Sequence, residues 1–261
     1  MKKHSLFYIV TTVCLGFIYS LIVHSEKLND VPVNTIPKQN PFPSTTPSTD
    51  SSPNLTREPS NNQESVEAMN SYTSSISPIS DSVYERIYKK SYKEDCTVPL
   101  SDLRYITVSY YGFDHVVHTG ELIVNKDIAE KTTAVFRELF DAKYPIEKIS
   151  LVDDYDADDN ASMAANNTSC FNYRTIDGTT KLSNHSKGRA IDINPLYNPY
   201  VRTINGKLSV LPENGAEYVD RTGDCPYMIQ KGDICYNIFI KYGFTWGGEW
   251  NSSKDYQHFE I

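Results

Sequence analysis

Positive charge is the first shortage. There are 25 lysines and arginines against 33 aspartates and glutamates, a net charge of −8. Unspecific binding to a phosphate backbone needs clustered Lys and Arg. No basic stripe occurs in the later part of the chain, so nucleic acid is not an expected partner. Glycine is absent between Glu26 and Ser80, and the aromatics there are reduced to Phe42 and Tyr72, while eight of the fourteen prolines gather in the same stretch. A segment of Ser, Thr, Asn, Gln and Pro cannot bury enough apolar surface to offset its chain entropy. Residues 26–81 are therefore expected to be a disordered linker, and residues 82–261 a folded domain.

Long apolar runs are also rare. The one that exists, Ser5 to Val23, follows Lys2 and Lys3 and ends at Val23-His24-Ser25. It reads as an export signal, yet it is also about as long as the roughly 20 residues that span a bilayer. A cleaved signal and a retained anchor over residues 1–25 both stand, and either puts the domain outside the cytoplasm. A lipoprotein reading through Cys14 is weaker, because Thr11-Thr12-Val13 lacks Leu and small residues at the needed places. With Cys14 set aside, four cysteines remain. Cys225 and Cys235 flank a short loop and are expected to close a small disulfide ring, with Cys96 and Cys170 as the arithmetic remainder.

Strand-like density marks Tyr105 to Tyr111, and Ile149 to Val152 reads as a short strand. Asp127 to Ala142 carries Ile128, Thr132, Val135, Phe136, Leu139 and Phe140 at helical spacing, with Asn125 as its expected cap. Asp233 should cap a second helix running to Tyr242 and ending at Gly243. Phe244–Trp246 and Tyr256–Ile261 complete the strands. Helices and strands interleave without a βαβ rhythm and without an internal repeat. The expected fold is a single compact α+β domain with a small, mainly antiparallel sheet and flanking helices.

Histidine is scarce enough to be informative: the domain holds only His115, His118, His185 and His258. The first two precede Gly120 in a strand and loop and are expected to be ordinary core or surface residues. His185 lies in a polar loop, and Asp192 follows it, with six residues between, in an alternating strand. There Ile191 and Ile193 point one way, and Ala190, Asp192 and Asn194 the other. Asp255 and His258 form a second pair near the end of the chain. Catalytic zinc takes three ligands from His, Asp or Glu and keeps one position for water, and a further carboxylate must move the water's proton. By spacing alone, two unrelated polar loops remain an equal reading.

Ser183-x-His185-x-x-Gly188-x-Ala190-x-Asp192-Ile193-Asn194, then Trp246-Gly247-Gly248-x-Trp250, then Asp255-x-x-His258-Phe259-Glu260 resemble the VanY-type zinc peptidases. That family includes D-alanyl-D-alanine carboxypeptidases, D,D-dipeptidases and L-alanyl-D-glutamate endopeptidases of bacteria and phages. Asp158-Asp159 to Arg174 also resembles one branch, so the similarity covers roughly Val117 to Ile261. The resemblance implies His185, Asp192 and His258 as Zn2+ ligands, Asp255 as general base, Arg174 as support for the substrate or its oxyanion, and Ser183 as a substrate contact. It also implies peptidoglycan stem peptides as the partner of an enzyme at the bacterial cell surface, which is expected to be a monomer. An endopeptidase and a zinc-containing module without turnover are the rival readings.

Several residues carry blander expectations. Glu260 shares a strand face with His258 and either orients it or is solvated. Glu249 competes with Asp255 as base but is expected to be exposed. Trp246 and Trp250 should pack and wall a cleft. Asp153 to Asp159 lacks the Gly and the bidentate Glu of a calcium loop, so a solvated acidic loop is expected. A glycan on the Asn184 sequon would block a metal at His185, which favours export from a bacterium. No wall-binding repeat follows His258, so targeting is expected from the N-terminal segment or from the substrate itself.

Overall fold

Residues 71–261 are described by a computed structural model. The signal or anchor and most of the linker lie outside them. The elements are β1 (Ser74–Pro78), α1 (Asp81–Ile87), β2 (Leu103–Tyr111), β3 (Val117–Asn125), α2 (Ala129–Asp141), β4 (Lys148–Ile149), α3 (Asp159–Ala164) and β5 (Asn167–Thr168). There follow β6 (Ala190–Asp192), β7 (Tyr200–Ile204), β8 (Lys207–Leu211), α4 (Ile234–Lys241), β9 (Thr245–Trp246), β10 (Ser253–Asp255) and β11 (His258–Glu260). The fold is α+β, as expected, but its strands form several small sheets instead of one. Three are antiparallel, in the orders β1-β2-β3, β10-β7-β8 and β6-β11-β9, and β4 pairs with β5 in parallel.

The β2–β3 hairpin is buried on both faces, and its alternation divides the core in two. Ile106, Val108, Leu122 and Val124 enter a larger cluster with Val135, Phe136 and Leu139 of α2 and Ile238 and Phe239 of α4. Leu103 and Ile123 point the other way, into a smaller cluster with Ile87 of α1, Phe171 and Tyr173. β11 joins the larger cluster through one residue. Phe259 is fully buried and stacks on Phe239 with ring centroids 4.0 Å apart. Burying such a side chain stabilises the fold by about 1.5–3 kcal/mol. Because strand side chains alternate, Phe259 pointing inward turns His258 and Glu260 to the opposite face.

Several sequence expectations need correction. β1 lies inside the stretch assigned to the linker. It pairs with β2 from Ser74↔Val108 to Pro78↔Arg104, and just before it Tyr72 donates to the Thr133 carbonyl (2.8 Å) and packs edge-on against Phe140. The ordered domain thus begins before residue 82. Asn125 does not cap α2: its Oδ1 accepts from the Asp127 N–H (3.0 Å), and the N-cap position falls on Ile128. Asp233 does cap α4, accepting from the Tyr236 N–H, and Gly243 follows with φ +88°. The strand expected at Ile149 to Val152 shrinks to β4, since Val152–Tyr155 turns into a 3₁₀ helix. Neither expected disulfide forms: Cys96, Cys170, Cys225 and Cys235 are all free thiols. Cys170 and Cys235 belong to the larger core cluster, whereas Cys96 packs against the smaller one and Cys225 stays partly exposed. Among the described residues no helix is long and apolar enough to cross a membrane.

The acidic run is largely solvated, as expected, with Asp154, Asp156 and Asp158 exposed, yet each of its carboxylates also finds a partner. Asp153 is buried and accepts from the Ser91 N–H and hydroxyl, Asp154 meets Arg86, Asp156 meets Lys90, Asp158 caps α3 and Asp159 pairs with Arg174. Among the described residues these carboxylates do not converge as a cation site. Arg86 also clamps α1 to β3 through a two-pronged bond to Glu121 (2.9 and 2.5 Å), and Tyr105 donates to the same carboxylate. These donors, Arg86 foremost, hold the Glu121 carboxyl below its ordinary range against the opposing effect of burial. A depressed folded-state value contributes stability that is present above the ordinary carboxylate range and lost as pH falls through the folded one. Glu121→Gln is expected to lower stability by about 1 kcal/mol at pH 7, given the partial exposure of the pair. Denaturant melts across pH 3–7 should show this difference fading in acid; a gap that is constant with pH would contradict the assignment.

Candidate metal centre

His185 rides on a short 3₁₀ turn, Asn184–Lys187, whose start is capped by the Ser183 hydroxyl accepting from the His185 N–H (3.3 Å). Gly188 ends the turn with φ +65°, and its carbonyl accepts from the Asn125 N–H at the end of β3 (2.8 Å). A side chain there would meet that same nitrogen at 2.7 Å, so glycine is required twice over. The chain then enters β6, where Ile191 and Ile193 anchor in the core and Asp192 faces the other way. β11 runs antiparallel to β6 in the register that sets His258 opposite Asp192.

Three donor atoms converge. His185 Nε2 lies 3.1 Å from Asp192 Oδ2 and 3.1 Å from His258 Nδ1, and His258 Nδ1 lies 3.1 Å from Asp192 Oδ1. All three residues are buried, 3–5% exposed. Each imidazole has its other nitrogen committed. His185 Nδ1 sits 2.6 Å from the Cys170 carbonyl, which can only accept, so this nitrogen donates and Nε2 keeps its lone pair. His258 Nε2 sits 3.0 Å from Glu260 Oε2, leaving Nδ1 free in the same way. Outer partners of this kind fix the tautomer and orientation of metal-binding histidines. Ligands on a tetrahedral ion with bonds of about 2.0–2.1 Å stand about 3.3 Å apart, close to the spacing found. The His–Asp–His donor set therefore fits a divalent cation.

The electrostatics tie the same residues to one another. Burial alone would raise the Asp192 carboxyl, but the two histidines, His185 foremost, hold it far below its usual range. Burial opposes charge on His258, yet hydrogen bonds to Asp192 and Glu260 outweigh it and push the imidazole up to about 10. Glu260, bonded to His258 and to the Asn184 amide (2.7 Å), is lowered to about 2. The protonated His258 itself balances these carboxylates, and a cation bound between them would take the place of its Nδ1 proton.

Asp255 stands beside this group on β10. Its Oδ1 is sealed from solvent without a hydrogen-bond partner, and burial pushes its carboxyl up to about 7, against the pull of nearby His258. Gly247 makes room for it: a Cβ there would lie 2.6 Å from the Asp255 carbonyl and 2.8 Å from its Cβ. Asp255 joins the donor triad at a cavity of about 400 Å³ that is also lined by Arg174, Ser183, Gln257 and Trp250. Arg174 is engaged by Asp159 (2.7 Å), while its Nε is buried and unpartnered. Ser183 lines the same wall, with its hydroxyl occupied by the cap.

The remaining histidines stay out: His115 is exposed in the β2–β3 turn and His118 pairs with Asp114. Glu249 is exposed and bound to Lys231 (2.6 Å), outside the cavity lining. Trp246 is a core residue, whereas Trp250 lies 5.3 Å from the His258 ring and walls the cavity. Sequence reasoning missed Cys170, whose carbonyl orients His185, and Asn184, which holds Glu260. No local pattern signals either, because each contact spans many residues. The Asn184 amide is thus committed to the site, and Asn167 of the other sequon is fully buried.

Residues 177–261 match the model of the family described as D-alanyl-D-alanine carboxypeptidase. The matched segment holds Ser183, His185, Asp192, Asp255 and His258, with Arg174 just outside it. The family resemblance carried by the motifs is borne out over this C-terminal third of the chain. Neither a curated protein nor a solved structure matches.

Glu260→Gln is expected to weaken divalent-metal affinity by about 10–100-fold, the usual cost of losing an outer partner. Glu249→Gln should leave it unchanged. Chelator-competition titrations measure both, and equal affinities for Glu260→Gln and the parent would show that Glu260 does not orient His258.

Proposed function

We propose that the chain is a zinc-dependent peptidase acting on peptidoglycan stem peptides that contain D-amino acids, with D-alanyl-D-alanine carboxypeptidase-type hydrolysis as its reaction. The observation that carries this reading is the buried His185–Asp192–His258 triangle with the Asp255 carboxylate beside it, whose Oδ1 has no hydrogen-bond partner. The family match supports the substrate class and fits action outside the cytoplasm, where such peptides occur. The enzyme is read as a monomer that meets its substrate without a partner chain.

His185 Nε2, His258 Nδ1 and an Asp192 oxygen would hold the zinc, which when bound supplies a Lewis acid for the scissile carbonyl and lowers the pKa of a water. Asp255 accepts the proton of the attacking water and delivers it to the leaving amine. Its confined, partly desolvated position suits that exchange, since a base near neutral can both take and return a proton. Arg174 supplies fixed positive charge as the carbonyl oxygen becomes anionic, and Asp159 holds its guanidinium in place. Trp250 walls the cavity beside His258 and limits access of bulk water.

Asp255→Asn should lower kcat by about 10²–10⁴-fold, the usual worth of a positioned acid–base group, with bound zinc unchanged. Mass spectrometry of a stem pentapeptide after incubation with the zinc-loaded chain reads the product. Chelator-sensitive release of terminal D-alanine supports the proposal. Cleavage between L-alanine and D-glutamate would replace it with an endopeptidase, and no cleavage by the zinc-loaded chain would leave a non-catalytic binding module.

A further inference from the structure

The cavity has two walls, and one ion pair ties them together. The first wall is a face of the β10-β7-β8 sheet. Asp255 stands opposite Tyr200 and Ser253 opposite Arg202, while Tyr200 is in turn opposite Leu211. Residues directly opposite one another, or two apart on a strand, share a face. Asp255, Ser253, Tyr200 and Leu211 line the cavity, so Arg202 continues the same row outward. Its guanidinium lies over the Tyr200 ring, 5.2 Å from the centroid.

The second wall is the loop between Arg174 and Ser183. Its neck is closed by the pairing of Thr175 with Leu182, and Ile176, Asp177 and Leu182 line the cavity from that side. From this loop the chain runs directly into the turn that carries His185. Arg202 Nη1 donates to the Asp177 carbonyl (3.0 Å), and Nη2 forms an ion pair with the Asp177 carboxylate. The Arg202 side chain is only 14% exposed although its partner is 67% exposed, so the arginine is packed into the row while the loop reaches over to meet it. An isolated surface ion pair of this kind contributes little stability. Its position is what gives it a consequence.

Resting on the peptidase reading above, we infer that the Arg202–Asp177 bridge closes one end of the cleft and makes the enzyme an exopeptidase. Arg202 stands two strand positions beyond Tyr200 and Asp255, about 7 Å along the sheet. That distance accommodates about two extended peptide residues. A peptide entering from the open end can place its last or second-last bond at Asp255, but a chain continuing past the site runs into the bridge. An endopeptidase needs both ends open. The bridge touches neither the metal ligands nor Asp255, so its removal changes which bonds are reachable and leaves the hydrolytic groups in place.

The experiment uses the full zinc-loaded chain and two substrates: a stem pentapeptide ending in D-alanyl-D-alanine, and a cross-linked stem-peptide dimer in which the corresponding bond is internal. The parent is expected to prefer the terminal bond by about 100-fold, a discrimination within reach of steric exclusion at a pocket. Arg202→Ala should bring the two rates within about 10-fold mainly by raising cleavage of the dimer. The reversed pair, Arg202→Asp with Asp177→Arg, should restore the preference. Asp177→Asn, altering an exposed side chain, supplies the same comparison if Arg202→Ala does not fold. Equal cleavage of both substrates by the parent, or an unchanged preference in folded Arg202→Ala and Asp177→Asn, overturns the inference while leaving the peptidase reading intact. No hydrolysis of either substrate by the parent overturns both.

Discussion

The pairing of β6 with β11 is the constraint on which the site depends. It sets His258 opposite Asp192 and so brings a carboxylate from one strand and an imidazole from the other into the same buried space. His185 arrives from the turn just before β6 and completes a triangle with 3.1 Å edges. A slip of one residue would turn His258 into the core and Phe259 into the cavity. The stacking of Phe259 on Phe239 and the burial of Ile191 and Ile193 therefore specify the register by making that slip costly. Hydrophobic packing on one face of these strands is what positions Asp192 and His258 on the other.

Around this pairing the supporting contacts come from remote parts of the chain. The Cys170 carbonyl orients His185, Glu260 and Asn184 orient His258, and Gly247 leaves the space that Asp255 fills. Gly188 docks the His185 turn on the end of β3. The donor atoms thus rest on the rigid β2–β3 hairpin and on the core beneath it. The cavity walls, by contrast, are the β7–β8 hairpin and the loop after Arg174, which contribute none of the three donor atoms.

The sequence was informative where a local period carries the information. Alternation around Asp192 and His258 already showed which side chains share a face, the α2 spacing gave its buried stripe, and Asp233 gave the start of α4. It was misleading where a local sign competes with a distant partner. Asn125 looks like a cap but makes its own tight turn with Asp127. Ser74–Pro78 has the composition of a linker yet becomes a strand because β2 offers it an open edge. The cysteines suggested bridges by number, but Cys170 and Cys235 are small core residues whose thiols burial raises. The acidic run shows no partners in sequence because Ser91, Arg86 and Lys90 reach it from the start of the domain. Arg202 and Asp177, 25 residues apart, meet only once the hairpin and the loop have folded over the cavity.

Crystallising the zinc-loaded chain and measuring anomalous scattering at the zinc edge tests whether these three side chains hold zinc in a fixed ligation mode. A single strong peak bonded to His185 Nε2, His258 Nδ1 and an Asp192 oxygen, with Glu260 retained on His258 Nε2, is the predicted result. Zinc bound elsewhere, or bound through the opposite nitrogen of either histidine, would contradict the account.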